Sequence, residues 1–484
     1  MTHEKTKQIL TVFEEISRIP RCSKNEAQIC DFMQKWAERS GFPSRKDEIG
    51  NIVIEVPASK GYEKSPVVVL QGHLDMVCEK TPDSKHDFSK DPILFDYESE
   101  PGWLKARQTT LGADNGIAMA MAMVAADDPS LPHPPMELLF TVDEETGLTG
   151  ANALQPGFIK GRILLNIDSE DEGVFTVGCA GGRDTKMSLN LDYREVPEDY
   201  SAFEIKAGDM TGGHSGINIH EERANAIRVL ARTLNELRLV TDLRITHISG
   251  GTAHNAIPRD AAAVVYLPAA DAGQVGELVA GFSAKLADEF RNTDPRLKIS
   301  MAPHAGSSDR RAMIESCSDR AIAFILALPH GVTAMSTDMK GLVETSNNLA
   351  NVKVEEGKLH LLTSQRSSVM SRLHAITAKV EAVARLAGAN YHSGQGYPAW
   401  QPDMKSKLLK KCQDLYQDLF GRQPKVEVIH AGLECGIIGD KNPGMDMISF
   451  GPDLRNPHSP DEKISIEAIG KVWDFMAALL KSLK

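Results

Sequence analysis

No stretch of this sequence is apolar over the roughly 20 residues that a membrane-crossing helix needs, so a membrane protein is not expected. Runs of Lys or Arg are also missing, and the formal net charge is -12. An acidic chain without a basic stripe is a poor nucleic-acid binder. The opening Met-Thr-His-Glu-Lys-Thr-Lys has no apolar core behind it, so it does not read as a secretory signal. Cysteine is sparse: seven residues, at 22, 30, 78, 179, 317, 412 and 435, with no CxxC pair. An odd, dispersed set reads as free thiols in a reducing cytoplasm. Cys435 lies near a loop described below, but no motif marks it as a nucleophile. Internal repeats and low-complexity tracts are absent too. These absences leave a soluble cytoplasmic protein whose partner is neither a nucleic acid nor a membrane.

Hydrophobic residues make up 42% of the 484-residue chain and charged residues 25%, an ordinary globular balance. That length exceeds one comfortable domain, so two or three are expected. Helical periodicity covers residues 5–17, and Pro20 stops it. Ser23 with Glu26 three positions on reads as a capping box that opens a second helix, closed at Gly41. Strands follow at residues 51–56 and 67–71, then a polar, irregular excursion over 79–108. A helix of small and flexible apolar residues begins at Ile117, and apolar strands cover 136–142 and 163–168. Strands alternating with helices indicate an α/β layer architecture.

After Gly181-Gly182 the pattern changes to apolar–polar alternation, as in a sheet with one solvated face. Amphipathic helices are expected near 227–237, 274–291 and 369–386, and a hairpin turns at Glu356-Gly357. His392-Ser-Gly-Gln-Gly-Tyr-Pro398 reads as a linker out of this region. The last 85 or so residues return to α/β texture. The expected organisation is a catalytic domain in two pieces, residues 1–182 and 397–484, with an α+β domain over 183–396 inserted between them.

The chemistry gathers at strand ends. His73 and Asp75 close the strand 67–71 on the edge where open α/β sheets keep ligand sites. Residues i and i+2 of an extended chain share a side, so the carboxylate can hold the imidazole ring. Asp114 lies in a Gly-punctuated turn, Glu144-Glu145 follow one strand, Asp168 ends another, and His458 sits in a Pro-flanked loop. Alone, each of the last three reads as a solvated turn, a strand-end cap or a loop histidine. Together, two histidines and several carboxylates suit Zn²⁺ or a similar divalent ion. A two-metal arrangement fits, with Asp114 bridging, His73 and Asp168 on one ion, and Glu145 and His458 on the other. Adjacent glutamates on extended chain point to opposite sides, so one can bind metal while its neighbour meets a water.

Gly72-His-Leu-Asp-Met-Val77, Gly112-Ala-Asp-Asn-Gly116, Asp143-Glu-Glu-Thr-Gly147, Asn166-Ile-Asp168 and Pro457-His-Ser-Pro460 resemble, in order, the metal-site motifs of the M20 metallopeptidases, of the aminoacylase/carboxypeptidase clan. The agreement spans nearly the whole chain and is nearest to the family's dipeptidases. The resemblance implies a mixed-sheet, di-zinc aminopeptidase-like catalytic domain with an inserted α+β lid domain. It implies two divalent ions, Zn²⁺ first and Co²⁺ or Mn²⁺ as alternatives. It assigns Glu144 as general base and Asp75 as the residue that orients His73, and it implies a cis Asp114–Asn115 peptide bond. Asp at position 168, where some relatives use Glu, resembles the dipeptidase and aminoacylase pattern.

The resemblance extends to the inserted domain. His214, in Gly212-Gly-His-Ser-Gly216, matches a lid histidine that reaches the substrate carbonyl, where a donor stabilises an oxyanion. Asn255 matches a lid residue near the substrate, and Arg366 stands where relatives place a clamp for the substrate carboxylate. Glu434, in His430-Ala-Gly-Leu-Glu-Cys-Gly436, is a candidate receptor for a free α-amino group. Many relatives pair through the lid, which leaves a homodimer open. A lid of roughly 210 residues can also supply such contacts within one chain. The expected function is a metallo-dipeptidase acting on unblocked dipeptides, those ending in His included, through a metal-activated bridging water with Glu144 as base. An aminoacylase or carboxypeptidase with the same site, or a non-catalytic metal-binding protein on the same fold, are the alternatives.

Overall fold

The computed structural model describes residues 4–305, 309–337 and 339–484. Residues 1–3, part of the N-terminal segment read above as no signal, lie outside them. The chain divides into two units: residues 1–179, 400–428 and 433–484 form the first, and residues 180–399 with 429–432 form the second. The inserted piece therefore begins and ends three residues away from the positions expected from sequence, and a four-residue loop near 430 belongs with it. The supposed linker is partly strand: Asn390–Ser393 pairs antiparallel with Gly181–Asn190, whose Thr185 and Met187 face it in register. Among the described residues, no helix is long and apolar enough to cross a membrane.

The first unit is built on an eight-stranded mixed sheet. Its centre is the run Met136–Thr141, Val68–His73, Ile163–Asn166 and Asp446–Ser449, all mutually parallel. Antiparallel strands, Ile52–Val56 among them, flank the centre. Every residue of Val68–His73 and of Met136–Thr141 is buried, which is why both read as near-continuous apolar runs. Helix Ala113–Asp127 is buried over residues 115–126; its alternation of Ala with Met and Ile lets it pack closely on a flat surface. The 79–108 excursion is not wholly irregular. Phe95–Asp96 and Trp103–Ala106 form a small sheet with Leu454–Arg455 and Lys463–Ser465, far away in sequence.

Two local expectations fail for a shared reason. The second helix starts at Ala27 rather than Ser23, and no capping box forms. Ser23 Oγ instead donates to Asp75 Oδ2 at 2.8 Å, and Glu26 Oε1 accepts the backbone N–H of Lys24 and of Asp143. Both side chains are spent on the strand-end loops. The cysteines are not all free either. Cys22 and Cys78 form a disulfide with their Cα atoms 5.7 Å apart, while 30, 179, 317, 412 and 435 are free and buried. The pairing arises because Cys22 runs beside Met76 in a parallel bridge, a proximity that a 56-residue sequence separation conceals.

The second unit is an antiparallel sheet in the order Lys298–Pro303, Tyr200–Gly208, Ala261–Pro268, Arg244–Gly250, Val343–Glu355, Lys358–Ser367, Gly181–Asn190 and Asn390–Ser393. Gly331–Met335 pairs on the Val343–Glu355 strand. The predicted hairpin forms, with Glu355 opposite Lys358. Helices Ala226–Leu237, Glu315–Ala327 and Met370–Ala387 bury Leu230, Leu234, Ile322 and Val380 in one core with Ile205, Val265 and Leu361.

Candidate metal centre

The parallel centre of the first unit delivers His73, Glu144, Glu145 and Asp168 at or beyond its strand ends, while Asp114 opens a helix and His458 sits in the loop between Leu454–Arg455 and Lys463–Ser465. His73 is the last residue of Val68–His73, and Leu74 N–H donates to Thr141 O, which fixes the turn beyond it. Asp114 is the second residue of helix Ala113–Asp127, and the Asp114–Asn115 peptide bond is cis. Glu144 and Glu145 open a short helix, Glu144–Gly147. They are not the extended pair expected from sequence: Asp143 takes φ 49°, and its carboxylate accepts the hydroxyls of Thr146 and Thr149, which winds the chain into a turn. Asp168 follows Ile163–Asn166, and Ile167 N–H donates to Gln71 O.

These donors converge. His73 Nε2 lies 3.0 Å from Asp114 Oδ1 and 3.6 Å from Asp168 Oδ1. His458 Nε2 lies 3.3 Å from Asp114 Oδ2 and 2.9 Å from Glu145 Oε2. Asp114 thus turns a different oxygen toward each histidine. A tetrahedral ion with bonds of about 2.0–2.1 Å holds its ligands roughly 3.3 Å apart, which matches this spacing. Glu145 Oε1 is buried without a partner, as a carboxylate reserved for a cation would be. The residues fit a divalent metal on each side of Asp114.

Charge crowding points the same way. Burial pushes Glu144 and Asp168 well above the usual carboxylate range; His73 opposes this in both, and neighbouring acids reinforce it. Burial opposes charging of His73, yet its hydrogen bonds to Asp114 and Asp75 hold its pKa well above normal. Hydrogen bonds to Asp114 and Glu145 push His458 up to about 11. Asp75 differs: despite burial, His73 and the backbone N–H of Glu144 hold it at about 2, so it stays ionised. His73 Nδ1 is 3.1 Å from the Asp75 backbone O and 3.3 Å from its Oδ1, so Asp75 holds that side of the ring and leaves Nε2 turned to the centre, where a cation could replace its proton.

Another acidic trio, Glu26, Asp75 and Asp143, lies within ligand distance of one another. Its oxygens are taken by Ser23, Thr146, Thr149 and backbone N–H groups, so it reads as the support of the loops.

Glu434 opens helix Glu434–Lys441 and is fully buried in the first unit. Its Oε2 accepts from Gln71 Nε2 at 2.6 Å and Thr141 Oγ1 at 2.7 Å, while Oε1 has no partner. Burial raises it to about 7. Cys435 beside it is buried, and burial raises its thiol well above normal, consistent with an inert residue. Gln71 and Thr141 escaped sequence analysis because a buried polar residue inside an apolar strand carries no motif.

The second unit has its own polar cluster. His214 pairs with Ala256 in a two-residue ladder, and Asn255 O accepts the N–H of Ser215. His214 Nδ1 accepts the N–H groups of Gly216 and Ile217, so the neutral ring carries its proton on Nε2. Burial, with Arg366 and His254 adding to it, lowers His214 to about 4 and keeps it neutral. Arg366 is a buried residue of Lys358–Ser367, not a surface arginine, and Nη1 donates to the Tyr397 hydroxyl at 3.0 Å. His430, unremarked in the sequence beyond its motif, bonds Ser346 Oγ through Nε2 at 2.7 Å.

Comparison with known proteins agrees with this geometry. Residues 69–482 match the model of peptidase family M20/M25/M40. The chain is 39% identical to the cytosol non-specific dipeptidase of Escherichia coli strain K12 over 472 residues, covering 98% of this chain and 96% of that one. The crystal structure of aminoacylhistidine dipeptidase from Vibrio alginolyticus superposes with a TM-score of 0.89 at 38% identity, covering 100% of this chain and 98% of that one. Aminopeptidase PepT from Bacillus cereus shares the fold, with a TM-score of 0.57 at 16% identity, covering 99% of this chain and 98% of that one.

Proposed function

As the chain belongs to peptidase family M20/M25/M40, we propose that it is a metal-dependent dipeptidase that hydrolyses unblocked dipeptides, those with a C-terminal His among them. The observation that carries this reading is the Asp114 carboxylate, with one oxygen toward His73 and the other toward His458. That arrangement supports two divalent ions, Zn²⁺ first, held by His73, Asp168 and Asp114 on one side and by His458, Glu145 and Asp114 on the other. Bound there, the ions supply Lewis-acid polarisation of the scissile carbonyl and lower the pKa of a shared water.

The residues divide the remaining work. Glu144 takes a proton from the attacking water and returns it to the leaving amine. Asp75 holds the His73 ring and, by accepting the N–H of Glu144, the base as well. His214 is the oxyanion donor in this scheme, a role supported by its free Nε2–H. Arg366 receives the substrate's carboxyl end, and Asn255 is a lid residue near the substrate. Glu434, with one oxygen fixed and the other unpartnered, is assigned to the free α-amino group. A carboxylate reserved for that amine would disfavour N-acylated substrates. A cytoplasmic setting and a homodimer remain part of the reading.

The test is hydrolysis of Ala-His, β-Ala-His, a tripeptide and an N-acetyl amino acid, with chelator and with Zn²⁺ restored. Cleavage of the dipeptides, lost to chelator and regained with metal, is the expected result. Cleavage of the acyl amino acid instead would move the substrate to the aminoacylase class. No metal-dependent cleavage at all would leave a binding protein.

A further inference from the structure

The loop that carries His458 also carries Glu462, and the two are enclosed by the strands Leu454–Arg455 and Lys463–Ser465. Glu462 is 2% exposed. Its carboxylate accepts four consecutive backbone N–H groups: Leu111 at 2.8 Å and Gly112 at 3.0 Å on Oε2, Ala113 at 2.8 Å and Asp114 at 3.3 Å on Oε1. These amides open helix Ala113–Asp127, whose first N–H groups have no partner within the helix. One buried side chain therefore fastens the turn of Asp114 to the loop of His458. Nothing in the catalytic scheme uses Glu462.

The far side of the same turn is held differently. The Arg21 guanidinium, 1% exposed, donates through Nη1 to Leu74 O at 3.1 Å and Asp75 O at 2.9 Å, and through Nη2 to Gly112 O. Gly112 has φ 70°, and a Cβ there would stand 2.5 Å from Arg21 Nη2. The turn is thus clasped between an arginine tied to the His73 segment and a carboxylate tied to the His458 segment. Asp168 reaches the centre from a separate strand end and touches neither clasp in the hydrogen bonds described.

We propose that Glu462 is a positioning residue that couples the Asp114 turn to the His458 loop, and so sets the metal position of Asp114, Glu145 and His458 while leaving that of His73 and Asp168 intact. The proposal rests on the two-metal reading above. Losing Glu462 unfastens the His458 loop from the Asp114 turn, so one ion loses the fixed spacing between two of its three donors. The other ion keeps His73 and Asp168, with the Asp114 turn still tethered to the His73 side through Arg21.

The test is calorimetric titration of the metal-stripped full chain with Zn²⁺. Wild type is expected to bind two ions. Glu462→Gln keeps the shape but puts an amide N–H₂ against backbone donors. It should weaken one ion by about 10–100-fold, the range for supporting partners of metal ligands, with the other changed little. Glu462→Asp, which keeps the charge on a shorter arm, should recover part of that loss. In a double-mutant cycle, Glu462→Gln and His458→Ala should be non-additive, because both act on the same ion. Equal weakening of both ions, unchanged affinities, or additivity with His458→Ala would overturn the proposal. Fewer than two ions in wild type would remove the two-metal reading and this inference with it. Near-UV circular dichroism identifies a variant that has not folded, and Glu462→Asp then carries the test.

Discussion

Asp75 and Glu144 are joined directly: Asp75 Oδ1 accepts the backbone N–H of Glu144 at 3.0 Å. The same oxygen lies 3.3 Å from His73 Nδ1, so one carboxylate sits against both the ring of a proposed ligand and the backbone of the proposed base. Asp75→Asn should therefore do two things. The ring keeps the Asp75 backbone acceptor but loses the negative charge 3.3 Å from Nδ1, and metal affinity should fall by about 10–100-fold. Turnover should fall even at saturating metal, because the Glu144 turn is loosened too. Zinc titration and steady-state kinetics on one preparation separate the effects. A variant fully rescued by excess metal would show that Asp75 serves His73 alone.

Glu144→Gln should retain its metal content by elemental analysis and lose about 10²–10⁴-fold in kcat, the usual contribution of a general base. Glu145 has Oε2 2.9 Å from His458 Nε2, whereas no histidine stands at ion-pair distance from Glu144 among the described contacts. Loss of metal in the Glu144 variant would mean that the two glutamates exchange roles.

Unfolded protein kept free of reductant should titrate with five thiols, and with seven after a dithiol is added, because only Cys22 and Cys78 are paired. Cys22 adjoins Arg21 and Ser23, both of which hold the Asp75 segment. Seven thiols without reductant would return the chain to the all-reduced state that its cysteine spacing suggests.

Much of this centre was legible because each proposed ligand sits near an element end that the sequence marks independently. Apolar strands precede His73, Glu144 and Asp168, a Gly-rich turn precedes Asp114, and prolines bracket His458. The supporting residues were not legible. Arg21 looks like a surface residue after a helix, and Glu462 like one acid in a polar loop, until long-range packing buries them. Ser23 was misread because its local pattern fits a cap and only tertiary contact with Asp75 redirects its hydroxyl. The second unit's outline followed from alternation. Glu315–Ala327 and the outer strand Lys298–Pro303 did not, since their apolar positions are diluted by polar residues.

The second unit should lose stability in mild acid through His330. Its Nδ1 accepts N–H groups from Asn225 Nδ2 and Leu349, each at 3.3 Å, so the ring must be neutral there. Burial, with Arg228 adding to it, lowers its pKa to about 3. The unfolded chain takes up this proton below about 6.5, whereas the folded chain does not until about 3. Between those values the unfolded state binds more protons, so stability falls as pH is lowered from 6.5 toward 3. At pH 5 the loss from this one group is about 2 kcal/mol. His330→Asn can still accept a hydrogen bond but cannot take the proton. Urea unfolding at pH 7 and pH 5 should show a smaller pH dependence in that variant, and an identical dependence in both proteins would mean that His330 is already charged in the folded chain.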